Sequence, residues 1–152
     1  FQEHRGFAVT GVVNERTWNA LEERWSAIHK ARQRVDRKYH RILNVARNQK
    51  GDPYAYGAAG PGAFDCSGLT MWAWARGGRS LPHSSSAQFA ATQRISLDQL
   101  QPGDLVFFNN PISHVGLYIG GGQMIHSPHT GDVVKISPIT RMGKLVRAGR
   151  VA

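Results

Sequence analysis

The sequence predicts an α+β fold in which helices pack on a central antiparallel sheet of about five or six strands, preceded by a helical arm. Two observations carry this prediction. Early in the chain, large apolar side chains recur every three or four residues, and residues 22–50 contain no Gly or Pro. The second half has short apolar runs separated by Gly- and Pro-rich turns. The length of 152 residues, 41% of them hydrophobic, suits one compact core and a short extra element.

The helical arm is predicted as one long helix, or two in tandem, over residues 15–48. We expect its apolar stripe to pack on another surface; the stripe comprises Trp18, Leu21, Trp25, Ile28, Val35, Tyr39, Ile42 and Ala46. Residues 22–50 hold nine Lys or Arg and three acids, which accounts for +6 of the chain's net charge of +9. The opposite, basic face is therefore expected to be solvated and to attract polyanions.

Cys66 is the single cysteine, which excludes an intramolecular disulfide and a multi-cysteine zinc site. It follows a loop rich in Gly, Ala and Pro and comes just before an apolar, helix-like run at residues 69–76. A helix N-terminus supplies N–H groups and partial positive charge that favour a thiolate and can hold an oxyanion. A buried, inert cysteine is the alternative. The polar or small neighbours Asp65, Ser67 and Gly68 argue for a nucleophile instead.

Two histidines are placed to serve that nucleophile. The segment after the helix-like run is expected to begin with a polar loop, residues 80–94, followed by strands at residues 104–109, 114–119, 123–126, 133–136 and 145–150. His114 opens the second strand and His126 closes the third. If these strands form a hairpin, the two imidazoles are neighbours, and a Cys66–His114–His126 relay follows.

Each of these histidines has a structural alternative, as a surface or packing residue. A zinc site built from His114, His126 and His129 is a further alternative, since three nitrogen ligands suit catalytic zinc. We disfavour it because no carboxylate or second cysteine stands at a recognised ligand spacing. The sequence therefore predicts neither a metal nor another cofactor.

Six ordered segments carry a family resemblance: residues 53–57, 64–69, 81–88, 101–108, 113–120 and 124–128. In order and spacing they resemble the NlpC/p60 cell-wall cysteine endopeptidases, small papain-like enzymes of bacteria and their phages. The resemblance covers residues 38–152, which we interpret as a catalytic domain. It implies a papain-like NlpC/p60 fold and hydrolysis of a peptidoglycan stem peptide, usually between γ-D-glutamate and meso-diaminopimelate or lysine.

The resemblance also assigns site residues. It implies Cys66 as nucleophile, His114 as base, His126 as third polar residue and Tyr54 as the tyrosine that polarises the scissile carbonyl, and it puts Asp65, Ser67 and Ser85 in contact with substrate. His83 is a departure, because an arginine is common at that position of the family. The structural alternatives are a helix cap for Asp65, loop packing for Tyr54 and an ordinary polar loop around Ser85.

Residues 1–21 resemble the end of a peptidoglycan-binding repeat, through segments such as Phe1-Gln2 and Thr17-Trp18. Residues 22–37 are then a basic linker helix attracted to anionic cell-wall polymers. A nucleic-acid arm is disfavoured because no base-stacking platform accompanies it. No run is long and apolar enough to span a membrane.

The leading hypothesis is a monomeric hydrolase that is secreted, wall-associated or delivered as a phage lysin, with stem peptides as substrate. The alternatives are a catalytically silent wall-binding module and an amidase or acyltransferase of the same broad fold.

Overall fold

The computed structural model of the protein describes residues 15–142 and 144–152. Its helices are α1 (Glu15–Arg47), α2 (Cys66–Arg76) and α3 (Ser85–Ala91), with a short 3-10 helix at Leu97–Gln99. Its strands are β1 (Gln93–Ile95), β2 (Leu105–Phe108), β3 (His114–Gly120), β4 (Gln123–His126), β5 (Lys135–Pro138) and β6 (Leu145–Arg150). The α+β fold predicted from the sequence is confirmed, with a sheet of six strands.

The sheet has the strand order β1-β6-β2-β3-β4-β5, and each neighbouring pair is antiparallel. The two central strands carry the core: all four residues of β2 and the first four of β3 are buried. Helix α2 packs against β3, and the N–H of Val115, near the beginning of β3, faces the thiol of Cys66 at the beginning of α2. This contact positions the site described below.

The chain divides into two compact units, Phe1–Arg37 and Lys38–Ala152, and α1 contributes residues to both. In the second unit the apolar stripe of α1 is packed as expected. Ile42 and Ala46 are fully buried, and the ring of Tyr39 meets Trp74 edge to face with centroids 6.1 Å apart.

In the first unit, by contrast, the apolar stripe of α1 is largely exposed. The described residues leave four of its large side chains 50–64% exposed: Trp18, Trp25, Ile28 and Val35. The basic face is solvated as expected, since residues 22–37 are exposed throughout. Of the predicted repeat remnant, residues 1–14 lie outside the part of the chain that the structure describes.

The loop that precedes α2 is fitted to the first turn of that helix. The Asp65 backbone N–H donates to Ala58 O at 2.8 Å, and Gly68 sits so close to the same carbonyl that an added Cβ would come within 2.1 Å of it. A glycine is therefore required at this position of α2.

The polar segment 80–94, expected to be a loop, contains α3 and the beginning of β1. Ser84 caps α3, because its hydroxyl accepts the N–H of Ala87. The sequence pattern fails here because α3 has only seven residues and buries only Gln88 and Phe89, so no apolar periodicity develops. Within the described residues, no helix has both the length and the apolar character of a membrane span.

Candidate active site

Cys66 is the first residue of α2, with Asp65 as the N-cap. The Asp65 Oδ1 atom accepts the Gly68 N–H at 2.6 Å, and Oδ2 accepts the Gly57 N–H at 3.0 Å. The sequence placed Cys66 at or just before a helix N-terminus, and the structure agrees. The helix-cap alternative for Asp65 describes what its carboxylate does, and the same carboxylate ties the preceding loop to the helix.

The environment of the Cys66 thiol differs from the expectation of a stabilised thiolate. The backbone N–H groups of Ser67 and Cys66, at the N-terminus of α2, and of Val115, in β3, favour the thiolate. Burial outweighs them, and with the charge of Asp65 it raises the pKa of the Cys66 thiol. The side chain is therefore a protonated thiol at neutral pH and needs a base before it can attack.

His114 and His126 form the hydrogen-bonded pair that the hairpin predicted. The Nε2 atom of His114 lies 2.9 Å from Nδ1 of His126, and the rings are close to perpendicular. Strands β3 and β4 pair with Leu117 opposite Ile125, so the beginning of one strand lies beside the end of the other. Residues 114 and 126 then face the same side of the sheet.

Both imidazoles are buried, and this sets their protonation. Burial, followed by the nearby charge of His129, lowers the pKa of His114 to about 4. Burial and the neighbouring His114 and Lys135 lower the pKa of His126 to about 3. At neutral pH both rings are therefore uncharged, and each has one nitrogen free to accept a proton.

Tyr54 stands in the loop before α2, held by its backbone N–H, which donates to Asp132 O at 2.9 Å. Burial and the charges of Cys66 and Asp65 raise the pKa of the Tyr54 phenol. The phenol is therefore a neutral hydrogen-bond donor at neutral pH.

One cleft of about 350 Å³ unites most of the predicted residues. It is lined by Tyr54, Asp65, Cys66, Ser67 and Ser85 together with Tyr56, Gly57, His83, Ser84 and Ser113. Ser67 reaches the cleft with little of its surface, since it is buried and its hydroxyl donates to Asp65 Oδ1 at 3.4 Å. His114 and His126 are not among the lining residues, but the N–H of Val115, the residue after His114, faces the thiol.

The contacts of three residues near this site were not predicted from the sequence, or were only partly noticed. His83, flagged as a departure, lies against both oxygens of Asp65. The buried Gln88 side chain donates to Ser67 O and Pro82 O and accepts from the Thr70 hydroxyl. Ser137 Oγ lies 2.9 Å from Nε2 of His126. Gln88 is the last residue of the segment 81–88 of the family resemblance, and this position is the only indication of its role in the sequence.

The zinc alternative finds no donor set in the described part of the chain: residues 15–142 and 144–152 contain no group of three or more His, Cys, Asp or Glu arranged to hold a metal ion. His129 instead lies beside Asp132, at 3.7 Å, with its ring largely exposed.

Cys66 thus begins a helix at the cleft, and the His114–His126 pair lies on the antiparallel sheet, where the N–H of the neighbouring Val115 faces the thiol. The model of the NlpC/P60 family matches residues 51–147. The chain belongs to the NlpC/P60 family.

Relatives agree with this assignment. The chain is 46% identical over 109 residues to a probable endopeptidase of Mycobacterium tuberculosis, a match that covers 72% of this chain and 28% of the relative. It is 48% identical over 115 residues to the probable endopeptidase p60 of Listeria monocytogenes, covering 72% and 23%. The chain thus spans about a quarter of the length of these curated relatives.

Among solved structures, the peptidoglycan hydrolase RipB of Mycobacterium tuberculosis superimposes with a TM-score of 0.71 at 27% identity. That superposition covers 79% of this chain and 67% of RipB. The matched part is therefore a domain that recurs inside longer proteins and also makes up most of a shorter one.

Proposed function

We propose that this protein is a cysteine endopeptidase that hydrolyses peptidoglycan stem peptides through Cys66, His114 and His126. The observation that carries the proposal is that the thiol of Cys66 and the hydrogen-bonded pair His114 and His126 lie on adjoining elements. The N–H of Val115, the residue after His114, faces the Cys66 thiol, and His114 is hydrogen-bonded to His126 at 2.9 Å. Family membership supplies the substrate class, since RipB is described as a peptidoglycan hydrolase and the curated relatives as probable endopeptidases.

The first chemical step moves a proton and forms a carbon–sulfur bond. Nδ1 of the neutral His114 takes the thiol proton, and the Cys66 Sγ atom attacks the scissile carbonyl carbon. The Tyr54 hydroxyl and the Cys66 backbone N–H hold the oxyanion that develops. His114 then gives the proton to the leaving amine, the C–N bond breaks and a thioester remains.

The second step hydrolyses that thioester. Water gives a proton to His114 and attacks the acyl carbon, the C–S bond breaks, and His114 returns the proton to Cys66 Sγ as the acid product leaves. His126 supports both steps, because its Nδ1 atom accepts the Nε2 proton of His114 whenever that ring is charged. No metal or other cofactor takes part in this scheme.

For the bond cleaved, we propose the link between γ-D-glutamate and meso-diaminopimelate or lysine. Asp65, Ser67 and Ser85 line the cleft beside Cys66 and are the proposed contacts to the stem peptide. The site of action is the cell wall, reached by secretion, wall association or delivery as a phage lysin.

The domain assignment is part of the proposal: a peptidoglycan-binding remnant at residues 1–21, a basic linker helix at 22–37 and a catalytic domain at 38–152. The linker is proposed to adhere to anionic wall polymers, because residues 22–37 are exposed and rich in Lys and Arg. The chain is proposed to act as a monomer, without nucleic acid.

The decisive experiment incubates the protein with purified sacculi and with defined stem peptides that contain diaminopimelate or lysine, followed by mass spectrometry of the products. We expect new amine termini within the stem. Cys66→Ala and iodoacetamide treatment should abolish them, while a chelator should have no effect.

Three results would contradict the proposal. Full activity of Cys66→Ala would remove the nucleophile. Release of whole stems from glycan would indicate an amidase. Binding to sacculi without any new termini would indicate a silent wall-binding module.

A further inference from the structure

We infer that Ser137 is a positioning residue of the relay: its hydroxyl accepts the Nε2 proton of His126 and holds that ring in the tautomer that His114 needs. The inference rests on the proposed function, which makes His114 the base. It concerns a residue in β5, a strand that carries no other member of the site.

The contact is short and shielded from water. Ser137 Oγ lies 2.9 Å from His126 Nε2; the serine is 6% exposed and the histidine is fully buried. The antiparallel pairing of β4 with β5 creates it, with His126 opposite Lys135 and Met124 opposite Ser137. Residues 126 and 137 stand diagonally on one face of the sheet, which is within reach of a histidine and a serine.

The positions of the protons follow from the direction of the reaction. As a base, His114 must present a bare Nδ1 to the thiol, so its proton sits on Nε2. That proton points at Nδ1 of His126, 2.9 Å away, which must then be bare. His126 therefore carries its own proton on Nε2, where Ser137 Oγ accepts it.

The reverse arrangement is unproductive. If Ser137 donated to Nε2 of His126, both rings would be protonated at Nδ1, and His114 would turn an N–H toward the thiol. Once His114 is charged, both its nitrogens are donors, and only the productive arrangement satisfies every buried group. Without the Ser137 hydroxyl, the Nε2 proton of His126 has no acceptor when His114 becomes charged and requires His126 to be protonated at Nε2.

The test compares Ser137→Thr with Ser137→Val, because these side chains have the same shape and differ in the hydroxyl group. We expect Thr to keep kcat on a defined stem peptide and Val to lower kcat about tenfold, equivalent to about 1.4 kcal/mol, with KM unchanged. Ser137→Ala removes the hydroxyl without added bulk and should show the same loss if both larger variants fold poorly.

A second readout needs no turnover. Two-bond ¹H–¹⁵N spectra of the ¹⁵N-histidine-labelled protein at pH 7 report which ring nitrogen carries the proton. The wild type and Ser137→Thr should show His114 and His126 protonated at Nε2, and Ser137→Val should show a mixture or a switch to Nδ1 at His126.

Unchanged kcat and unchanged tautomers in Ser137→Val would overturn the inference and leave the proposed endopeptidase standing. A wild-type protein that releases no peptide, yet has both rings protonated at Nε2 and loses this in Ser137→Val, would overturn the proposed function and retain the tautomer control.

Discussion

The Nε2 atom of His83 lies 2.9 Å from Oδ1 and 3.0 Å from Oδ2 of Asp65, so one imidazole nitrogen faces both oxygens of the carboxylate that caps the helix of Cys66. The sequence left open whether a charged contact survives at the cleft rim when histidine replaces the family's arginine. The structure places the histidine at this position against Asp65.

His83→Ala should therefore lower the free energy of unfolding by about 1 kcal/mol, because the Asp65 carboxylate loses a hydrogen-bond donor. The effect stays this small because the His83 ring is partly exposed to solvent, which screens the interaction. His83→Arg should keep the stability, since guanidinium can also pair with both oxygens. Urea denaturation at pH 7 measures this. His40→Ala, which removes an exposed histidine on α1, is the control, and equal stability of the two alanine variants would contradict the prediction.

Acid should destabilise the protein through its two buried histidines. Their pKa values in the folded state, about 4 for His114 and about 3 for His126, lie below the 6.5 of a free histidine. Between pH 6.5 and 4 the unfolded chain therefore binds protons that the folded one does not. As the pH decreases through this range, the free energy of unfolding should therefore decrease by up to about 1.4 kcal/mol per pH unit for each histidine.

The variant His126→Asn tests the origin of that slope, because it replaces one titrating ring by a neutral amide. Urea titrations from pH 8 to 4 should give a shallower decline than for the wild type. An identical slope in His126→Asn would mean that His126 is not the group that titrates.

Alkylation of Cys66 should become fast only at alkaline pH. Burial raises the pKa of its thiol, and the charge of Asp65 adds to the shift, so the thiolate is scarce at pH 7. The rate of iodoacetamide labelling, followed by mass spectrometry, should still be rising at pH 9. Asp65→Asn should move the profile to lower pH, whereas a plateau below pH 7 in the wild type would contradict a raised pKa.

Gln88→Ala should cost about 2–4 kcal/mol of stability, more than most polar substitutions. The side chain is fully buried, and its loss removes three hydrogen bonds, to Ser67 O, Pro82 O and the Thr70 hydroxyl, although Thr70 and Ser67 O keep the bond between them. Thermal and urea unfolding measure the loss. Gln33→Ala, at an exposed position of α1, should change stability by less than about 0.5 kcal/mol. Equal effects of the two substitutions would refute this role of Gln88.

Tyr54→Phe should lower kcat on stem peptides about 100-fold with little change in KM, because it removes one proposed oxyanion donor and keeps the ring. Tyr118→Phe in β3 is the matched control. Its hydroxyl accepts the Gly122 N–H, away from the cleft lining. A loss in KM alone would assign Tyr54 to substrate binding.

Much of the fold follows from local pattern. The strands β2, β3, β4 and β6 coincide with apolar runs that are visible in the sequence, and the bounds of α1 and β4 agree closely with those predicted. The fourth predicted strand, at residues 133–136, is displaced to Lys135–Pro138. Pairing of Ile136 with Ile125 fixes β5, while Val133 makes a bridge to Pro53 instead.

The parts of the site that sequence reasoning found are those linked by short stretches of chain. Cys66 at a helix start and the His114–His126 hairpin need only local rules. Ser137 and Gln88 depend on the pairing of β4 with β5 and on the packing of α3 against α2, both long-range contacts with no motif of their own.

The Tyr54 loop has one more consequence. Gly51 N donates to Val134 O, Val134 N to Asp52 O, and Tyr54 N to Asp132 O, so the loop runs along the chain that enters β5. At the opposite end of the sheet, β1 has only three residues. Long, bare edge strands invite pairing with other chains. This sheet has one edge shielded near β5 and the other cut short, which should help it resist aggregation.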